Sequence, residues 1–422
     1  MKSIALSLFV LTYMALLLLP KYRSYIALAA AVLFVSFGLL PLDQIIHTID
    51  FNVLLMIGGT MGIVSLFVDS KMPALLADWI LDRTPNVKWA IIALALFAGF
   101  ISAFVDNVAT VLMIAPVALT ISKKLKIDPV LPIIAIAVSS NLQGAATLVG
   151  DTTAILLGGY AGMDFLDFFF LDGKIGIFWV VQFGAFASTL VLLYLFKQHT
   201  QVIHLQEKTK VNDFFPSYLL VAMILLLILA SFIPNKLDIT NGLIATTLLF
   251  IGLLKDYLED RKLSKFVKTI LEIDFETLLL LASLFVIIGG ITYVGLIDDM
   301  SSLFVQLTGD NIFLIYTVLV WFSVFVSAFV DNIPYIATML PVVSGISISL
   351  GLDPMVLYLG LLTGATLGGN LTPIGASANI TAIGILRKSG HPVSTKQFMS
   401  IGIPFTLVAV LSGYVLIWLI YA

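Results

Sequence analysis

Along the chain, long apolar runs alternate with short polar ones, and the order of runs in the first half returns in the second. Runs at 4–19, 24–40 and 51–68 are each long enough to predict a membrane-crossing helix. The stretch 70–88 mixes charges with Leu75, Leu76, Trp79, Ile80 and Leu81, and is expected to lie along the membrane interface. The next run, 89–122, is apolar but interrupted at Asp106-Asn107. A straight span there would bury Asp106 near mid-membrane at about 2.5–3.5 kcal/mol. Two half-helices that meet at Asp-Asn in a re-entrant hairpin avoid this, with Asp and Asn as N-caps of the returning half. The run 129–160 holds Gln143-Gly144 and Gly150-Asp151-Thr152-Thr153 in its middle, the pattern of a broken helix that lines a site. A helix over 174–196 closes the half.

The second half predicts helices at 214–233, 239–254 and 275–294, a second hairpin at 312–350, a broken helix at 354–386 and a last helix at 398–422. Asp331-Asn332 marks the second tip, and Pro334 falls in the first turn of the returning helix, where its missing N–H does no harm. Residues 102–155 and 327–380 align without a gap at an offset of 225, with 18 of 54 positions identical. Ile49-Asp50-Phe51 likewise recurs as Ile273-Asp274-Phe275. The expected fold is therefore an all-α polytopic membrane protein made of two repeats, 1–196 and 214–422, joined by a cytoplasmic linker at 197–213. Counting hairpins as zero, there are about ten crossings, five per half, and an odd number inverts the second repeat relative to the first. With both termini outside, 19 of the 22 Lys and Arg fall in cytoplasmic segments, including Lys21 and Arg23, as the positive-inside rule requires.

Composition agrees with this class. The chain is 60% hydrophobic and only 11% charged, whereas soluble domains carry about 25% charged residues. The net charge of −3 says little, because orientation depends on where Lys and Arg sit; no nucleic-acid partner is expected, and without Cys there is no disulfide, thiol nucleophile or thiolate metal site. His47, His199, His204 and His391 fall in loops without metal-ligand spacing. The first run is expected to be a retained helix, because Leu18-Leu19-Pro20-Lys21 makes a poor signal-peptide cleavage site.

Three acids, Asp106, Asp151 and Asp331, are expected at membrane depth with no Lys, Arg or His beside them. Their charge then has to be neutralised by a proton or a bound cation. Asp106, Asn107, Asp331 and Asn332 form a candidate Na⁺ position, so the coupling ion is H⁺ or Na⁺ and no cofactor is implied. Capping alone would account for an Asp at each tip, but Ser or Thr would cap without an ionisable group. Thr110, Thr147, Thr152 and Thr153 in one half, and Thr372, Ser377 and Asn379 in the other, supply further oxygens. Gly150 and Gly375 adjoin the breaks, and Ala376 stands where the first copy has Asp151. Half-helix N-termini present free N–H groups suited to an anion. An intramembrane aspartyl protease is disfavoured because Leu148 breaks the Gly-x-Gly-Asp pattern, and a channel needs no buried carboxylate pair.

S-A-F-V-D-N with a Pro nine residues after the Asn, followed by a Gly-rich broken helix, resembles the ion transporter superfamily. That group holds arsenite permeases, D-type sodium/proton antiporters, the P-protein and, more distantly, divalent-anion/sodium symporters. A-F-V-D-N-I-P-Y-I-A-T-M-L-P and L-G-G-N-L-T-P-I-G-A-S-A-N are similar to the P-protein and arsenite-permease branch, and G-D-T-T-A at 150–154 to the antiporters. The resemblance implies inverted repeats, two hairpins, usually a homodimer, and elevator-like movement of a transport domain against a scaffold; the expected location is a prokaryotic inner membrane. In the dicarboxylate symporters each tip reads Ser-Asn-Thr; here the tips read Asp106-Asn107-Val108 and Asp331-Asn332-Ile333. The function expected is proton- or sodium-coupled secondary transport of a small inorganic ion or arsenite-like oxyacid. The alternatives are sodium/proton antiport and sodium-coupled citrate or dicarboxylate transport.

Overall fold

A computed structural model describes residues 1–125, 127–201, 209–211, 213–260 and 263–422. Part of the expected linker, residues 202–208 and 212 with His204 and Lys208, lies outside the described residues, as do Lys126, Arg261 and Lys262.

The chain is almost wholly helical. Its first half forms α1 (Lys2–Leu18), α2 (Arg23–Ser36), the single turn α3 (Ile45–Thr48), α4 (Phe51–Asp69), α5 (Met72–Leu81), α6 (Val87–Ser102), α7 (Asn107–Leu125), α8 (Val130–Gln143), α9 (Thr152–Ala161) and α10 (Ile177–Leu195). The second half forms α11 (Phe215–Ala230), α12 (Thr240–Asp260), α13 (Leu263–Glu272), α14 (Phe275–Tyr293), α15 (Leu296–Thr308), α16 (Ile312–Ser327), α17 (Asn332–Leu350), α18 (Met355–Gly368), α19 (Ser377–Lys388) and α20 (Thr395–Tyr421). Helices α6 to α8, and the start of α9, reappear as α16 to α19 at the offset of 225 found in the sequence. The caps recur with them. Asn86 accepts from Trp89 N (3.2 Å) and Asn311 from Leu314 N (3.1 Å), while Asp128 and Asp353 accept from Val130 N and Met355 N, each at 2.9 Å. Asp50 and Asp274, the centres of the recurring tripeptide, cap α4 and α14 through Val53 N (3.0 Å) and Thr277 N (2.9 Å).

Among the described residues, six helices are long and apolar enough to cross a membrane, and two further pairs, α1 with α2 and α15 with α16, pass together but bend by 112° and 113°. Several remaining apolar helices are shorter because they are the halves of broken runs: α8 stops at Gln143, α9 starts at Thr152, and α18 and α19 stop and start likewise.

The helices pack as two groups. In one, α4 packs on α12 and α2 on α14, with α1 and α11 alongside. In the other, α6 packs on α8, α16 on α18, α10 on α20, and α19 crosses to α8. Glycine makes the α16–α18 approach possible: a Cβ on Gly368 would stand 2.6 Å from Val324 O and 2.7 Å from its Cα.

One stretch departs from the expected helix over 174–196. Phe170–Leu171 and Lys174–Ile175 pair as short antiparallel strands, and the helix begins only at Ile177. Asp172 and Gly173 both have positive φ (51° and 75°), the two-residue turn that Asp-Gly favours, so the signal was present in Leu171-Asp172-Gly173-Lys174. The amphipathic α15 adds an element between the expected helix at 275–294 and the second hairpin; it is the counterpart of α5.

Candidate functional site

Each Asp-Asn pair sits where one half-helix ends and the next begins. In the first copy Asp106 Oδ1 accepts from Val108 N (2.9 Å) and Ala109 N (3.2 Å), so the carboxylate caps α7. Asn107 is held on three sides: Ser102 Oγ donates to its Oδ1 (3.1 Å), its Nδ2 donates to Asn141 Oδ1 (3.0 Å), and Ser140 Oγ donates to its carbonyl (3.2 Å). Asn141 Nδ2 in turn donates to Thr366 O of α18 at 2.8 Å, which ties the first copy to the second. In the second copy Asp331 Oδ1 accepts from Ile333 N (3.1 Å).

The breaks clasp these tips through the same contacts twice. Thr147 Oγ1 donates to Ala103 O, and Thr372 Oγ1 to Ala328 O. A Cβ on Gly150 would stand 2.7 Å from Gly144 O and 2.9 Å from Ala103 O; on Gly375 it would stand 2.6 Å from Gly369 O and 2.7 Å from Ser327 O. Only glycine allows the break to approach the tip backbone this closely. Past the break the copies part. Asp151 caps α9 through Thr152 N (2.7 Å) and accepts from Thr153 Oγ1 (3.0 Å), and Thr153 also shares a hydrogen bond with Thr366 Oγ1 (3.0 Å). Ala376 leaves α19 without a side-chain cap. Asn379 donates instead to Gly369 O (3.1 Å) and Thr372 O (3.2 Å), bracing the second break.

A cavity of about 400 Å³ lies between the two helix groups. From one group it takes Arg23, the second half of α4 and the start of α14; from the other, the start of α7, Asn141, and the first residues of α9, α17 and α19. It brings together Asp106, Asn107, Asp151, Thr152, Asn332 and Ser377 of the expected site. Thr147, Thr372, Gly150, Gly375, Thr153 and Asn379 stand behind it as the clasp just described, outside the lining. Thr110 is fully buried, outside the lining, and its hydroxyl has no hydrogen-bond partner among the described residues.

Asp331 requires a correction. It was expected to stand without a basic partner, but Arg23 Nη1 forms an ion pair with its Oδ2, each side chain 25% exposed. Counting along the chain had placed Arg23 in a loop after the first helix. The sharp bend between α1 and α2 makes Arg23 the first residue of α2, and α2 packs on α14 beside the tip. Arg23 Nη2 also reaches Thr277 Oγ1 (3.4 Å), and that hydroxyl donates to Asp274 Oδ2 (2.6 Å). Arg23, Asn141, Asp274 and Thr277 thus join the site. Asp274 carried a signal, since its tripeptide recurs, and Asn141 is polar within an apolar run; Arg23 carried none, because what matters is the reach of its side chain in space.

A second cavity, of about 930 Å³, opens at the other end of α4 and α14. The start of α4 (Asp50 to Val53) and the second half of α14 (Phe285 to Tyr293) line it, the reverse of their parts in the first cavity.

Cavities between two helix groups of an integral membrane chain, apolar walls with a few converging polar and charged side chains, are the architecture of a membrane transporter. The protein belongs to the citrate transporter family, whose sequence profile matches residues 13–361. Two uncharacterised transporters of Mycobacterium tuberculosis are 31% and 32% identical, over 433 and 438 residues that cover all of this chain and 99% of each relative. The human P protein is 26% identical over 457 residues, 88% of this chain and 54% of its own length. The YdaH transporter of Alcanivorax borkumensis shares the fold, with a TM-score of 0.62, 13% identity, and 95% and 97% of the two chains covered. Membership in the ion transporter superfamily expected from the tip and break motifs is thereby borne out.

Proposed function

We propose that this protein is a secondary active transporter that couples H⁺ or Na⁺ to the movement of a small oxyacid or inorganic ion by elevator-type alternating access. The observation that carries the proposal is the convergence of both tips and both breaks on one cavity between two helix groups. Asp106 and Asp151 are the cation-binding groups, assisted by Asn107, Thr152 and Asn332. The group built on α2, α4, α12 and α14 is the scaffold, and the group built on α6–α9 and α16–α19 carries the site. Reversed roles of α4 and α14 at the two cavities support the inverted insertion of the two halves, and with it an odd number of crossings in each. A homodimer joined through the scaffold is part of this reading, as are termini on the outer face.

Among the solutes, a carboxylate such as citrate gains from one specific observation, the guanidinium of Arg23 in the cavity wall. Arsenite-like oxyacids and plain sodium/proton exchange are the alternatives. Proteoliposomes loaded with Na⁺, arsenite or citrate, with pH and sodium gradients imposed separately, test the reading. Saturable uptake that follows one gradient is expected, and Asp106→Asn abolishes it in a protein that still inserts. Flux that is indifferent to both gradients, or full coupling in Asp106→Asn, removes the cation role.

A further inference from the structure

The cavity is electrostatically lopsided in a way that coupling by cation binding alone does not explain. Its rim acids, Asp69 and Glu272, are both paired with Lys268 (2.5 and 3.4 Å). Further in stand Asp106, Asp151 and Asp274, and Arg23 is the one basic side chain among the described lining residues. A guanidinium wholly committed to scaffolding would be buried and fully bonded. Arg23 is instead a quarter exposed, faces the cavity, and is held by Asp331 at the tip of the opposite helix group. The ion pair therefore spans the boundary between the two groups.

We propose that Arg23 is the anchor for an oxyanion solute, a carboxylate or an oxyacid anion of similar planar oxygen geometry, and that Asp331 is its internal stand-in. The inference rests on the transporter reading above. Asp331 gives the guanidinium one oxygen, its other oxygen capping α17, whereas an entering carboxylate presents two to the guanidinium fork and so exchanges with Asp331. The exchange leaves the Asp331 carboxylate without its counter-charge beside Asn332, a vacancy that a coupling cation fills. Solute binding thus creates a cation position, and cation binding holds Asp331 away from Arg23, so each ligand raises the other's affinity by the same factor. Asp106, Asp151 and Asp274 line the same cavity, so an anion is repelled wherever they are ionised, and protons or cations that neutralise them favour its binding.

The test uses the full-length protein in detergent, without gradients, with citrate and succinate as probes titrated by calorimetry in the presence and absence of Na⁺ at pH 6 and pH 8. Arg23→Gln is expected to weaken binding about tenfold or more, the loss of a charge-assisted pair, and Arg23→Lys to lie between it and the native protein. Asp331→Asn, which removes the competitor and keeps the anchor, is expected to bind at least as tightly as the native protein while losing part of the Na⁺ or pH dependence. Melting curves check that each variant is folded, and Asp331→Asn reports independently should Arg23→Gln fail to fold. Affinity within twofold of native in Arg23→Gln, equal weakening in Asp331→Asn, or no binding of either probe by the native protein overturns the proposal. Because binding is read without a gradient, cation-dependent citrate binding without gradient-driven flux would sustain the anchor while refuting the transporter reading. Gradient-driven citrate flux unchanged in Arg23→Gln would do the reverse.

Discussion

At the two tips, equivalent aspartates hold different partners. Asp106 caps α7 through two amides and faces a cavity with other carboxylates, whereas Asp331 caps α17 through one amide and also binds Arg23. The glycines of the breaks are less tolerant than either. Gly150→Ala would push a methyl group to 2.7 Å from Gly144 O and 2.9 Å from Ala103 O, backbone atoms just past the ends of α8 and α6. Relieving such overpacking typically costs about 1–3 kcal/mol and moves the tip with it. Gly150→Ala and Gly375→Ala are therefore expected to cut transport at least tenfold. Gly384→Ala, with nothing within 4 Å of the added carbon, should leave transport unchanged and raise the melting temperature slightly. Initial uptake rates and melting curves of the three variants decide it; native rates in Gly150→Ala would show that the clasp is not needed.

At the scale of elements, the difference between α9 and α19 separates the two halves of the site. Both begin after a break and both line the cavity, but α9 starts under the Asp151 cap and α19 under Ala376, which offers no acceptor. Ala376→Asp would supply the missing cap, worth about 1 kcal/mol of helix stability, and add a further carboxylate to the cavity. Because burying the new carboxylate costs about 2.5–3.5 kcal/mol, the expected result is a protein that melts no higher and binds an anionic solute about tenfold more weakly, through repulsion at short range. A gain in both stability and citrate affinity would place the solute away from α19. The elements themselves were legible. The runs at 89–122 and 312–350 showed the interruptions at Asp-Asn, and the helices stop there because the capping residue and, in the second copy, Pro334 are local signals. The strand pair at 170–175 is not legible in the hydrophobic pattern because each strand is only two residues long, too short to show alternation; the Asp172-Gly173 turn is its one local signal.

For the molecule as a whole, the two cavities provide a direct measure of orientation. Residue 68 lines the first and residue 293 the second, so inverted halves place them on opposite sides of the membrane. The native chain has no Cys, which lets single-cysteine variants report without background. In sealed inside-out and right-side-out vesicles, Val68→Cys should react with an impermeant maleimide from the cytoplasmic face and Tyr293→Cys from the outer face. Labelling of both from one side would refute the inverted arrangement and the sidedness drawn from Lys and Arg.

The sequence by itself determined the class, the duplication and most of the residues of the candidate site. Hydrophobicity, caps, prolines and break glycines act within a few residues of where they are written, and a gapless repeat carries them to both copies. Tertiary structure alone decided which charges meet. Arg23 and Asp331 are 308 positions apart, and no local rule couples them. They meet because α2 packs on α14 and the tip of the other helix group reaches that seam, so the counter-charge of a membrane aspartate comes from a helix end that sequence order assigned to the membrane surface.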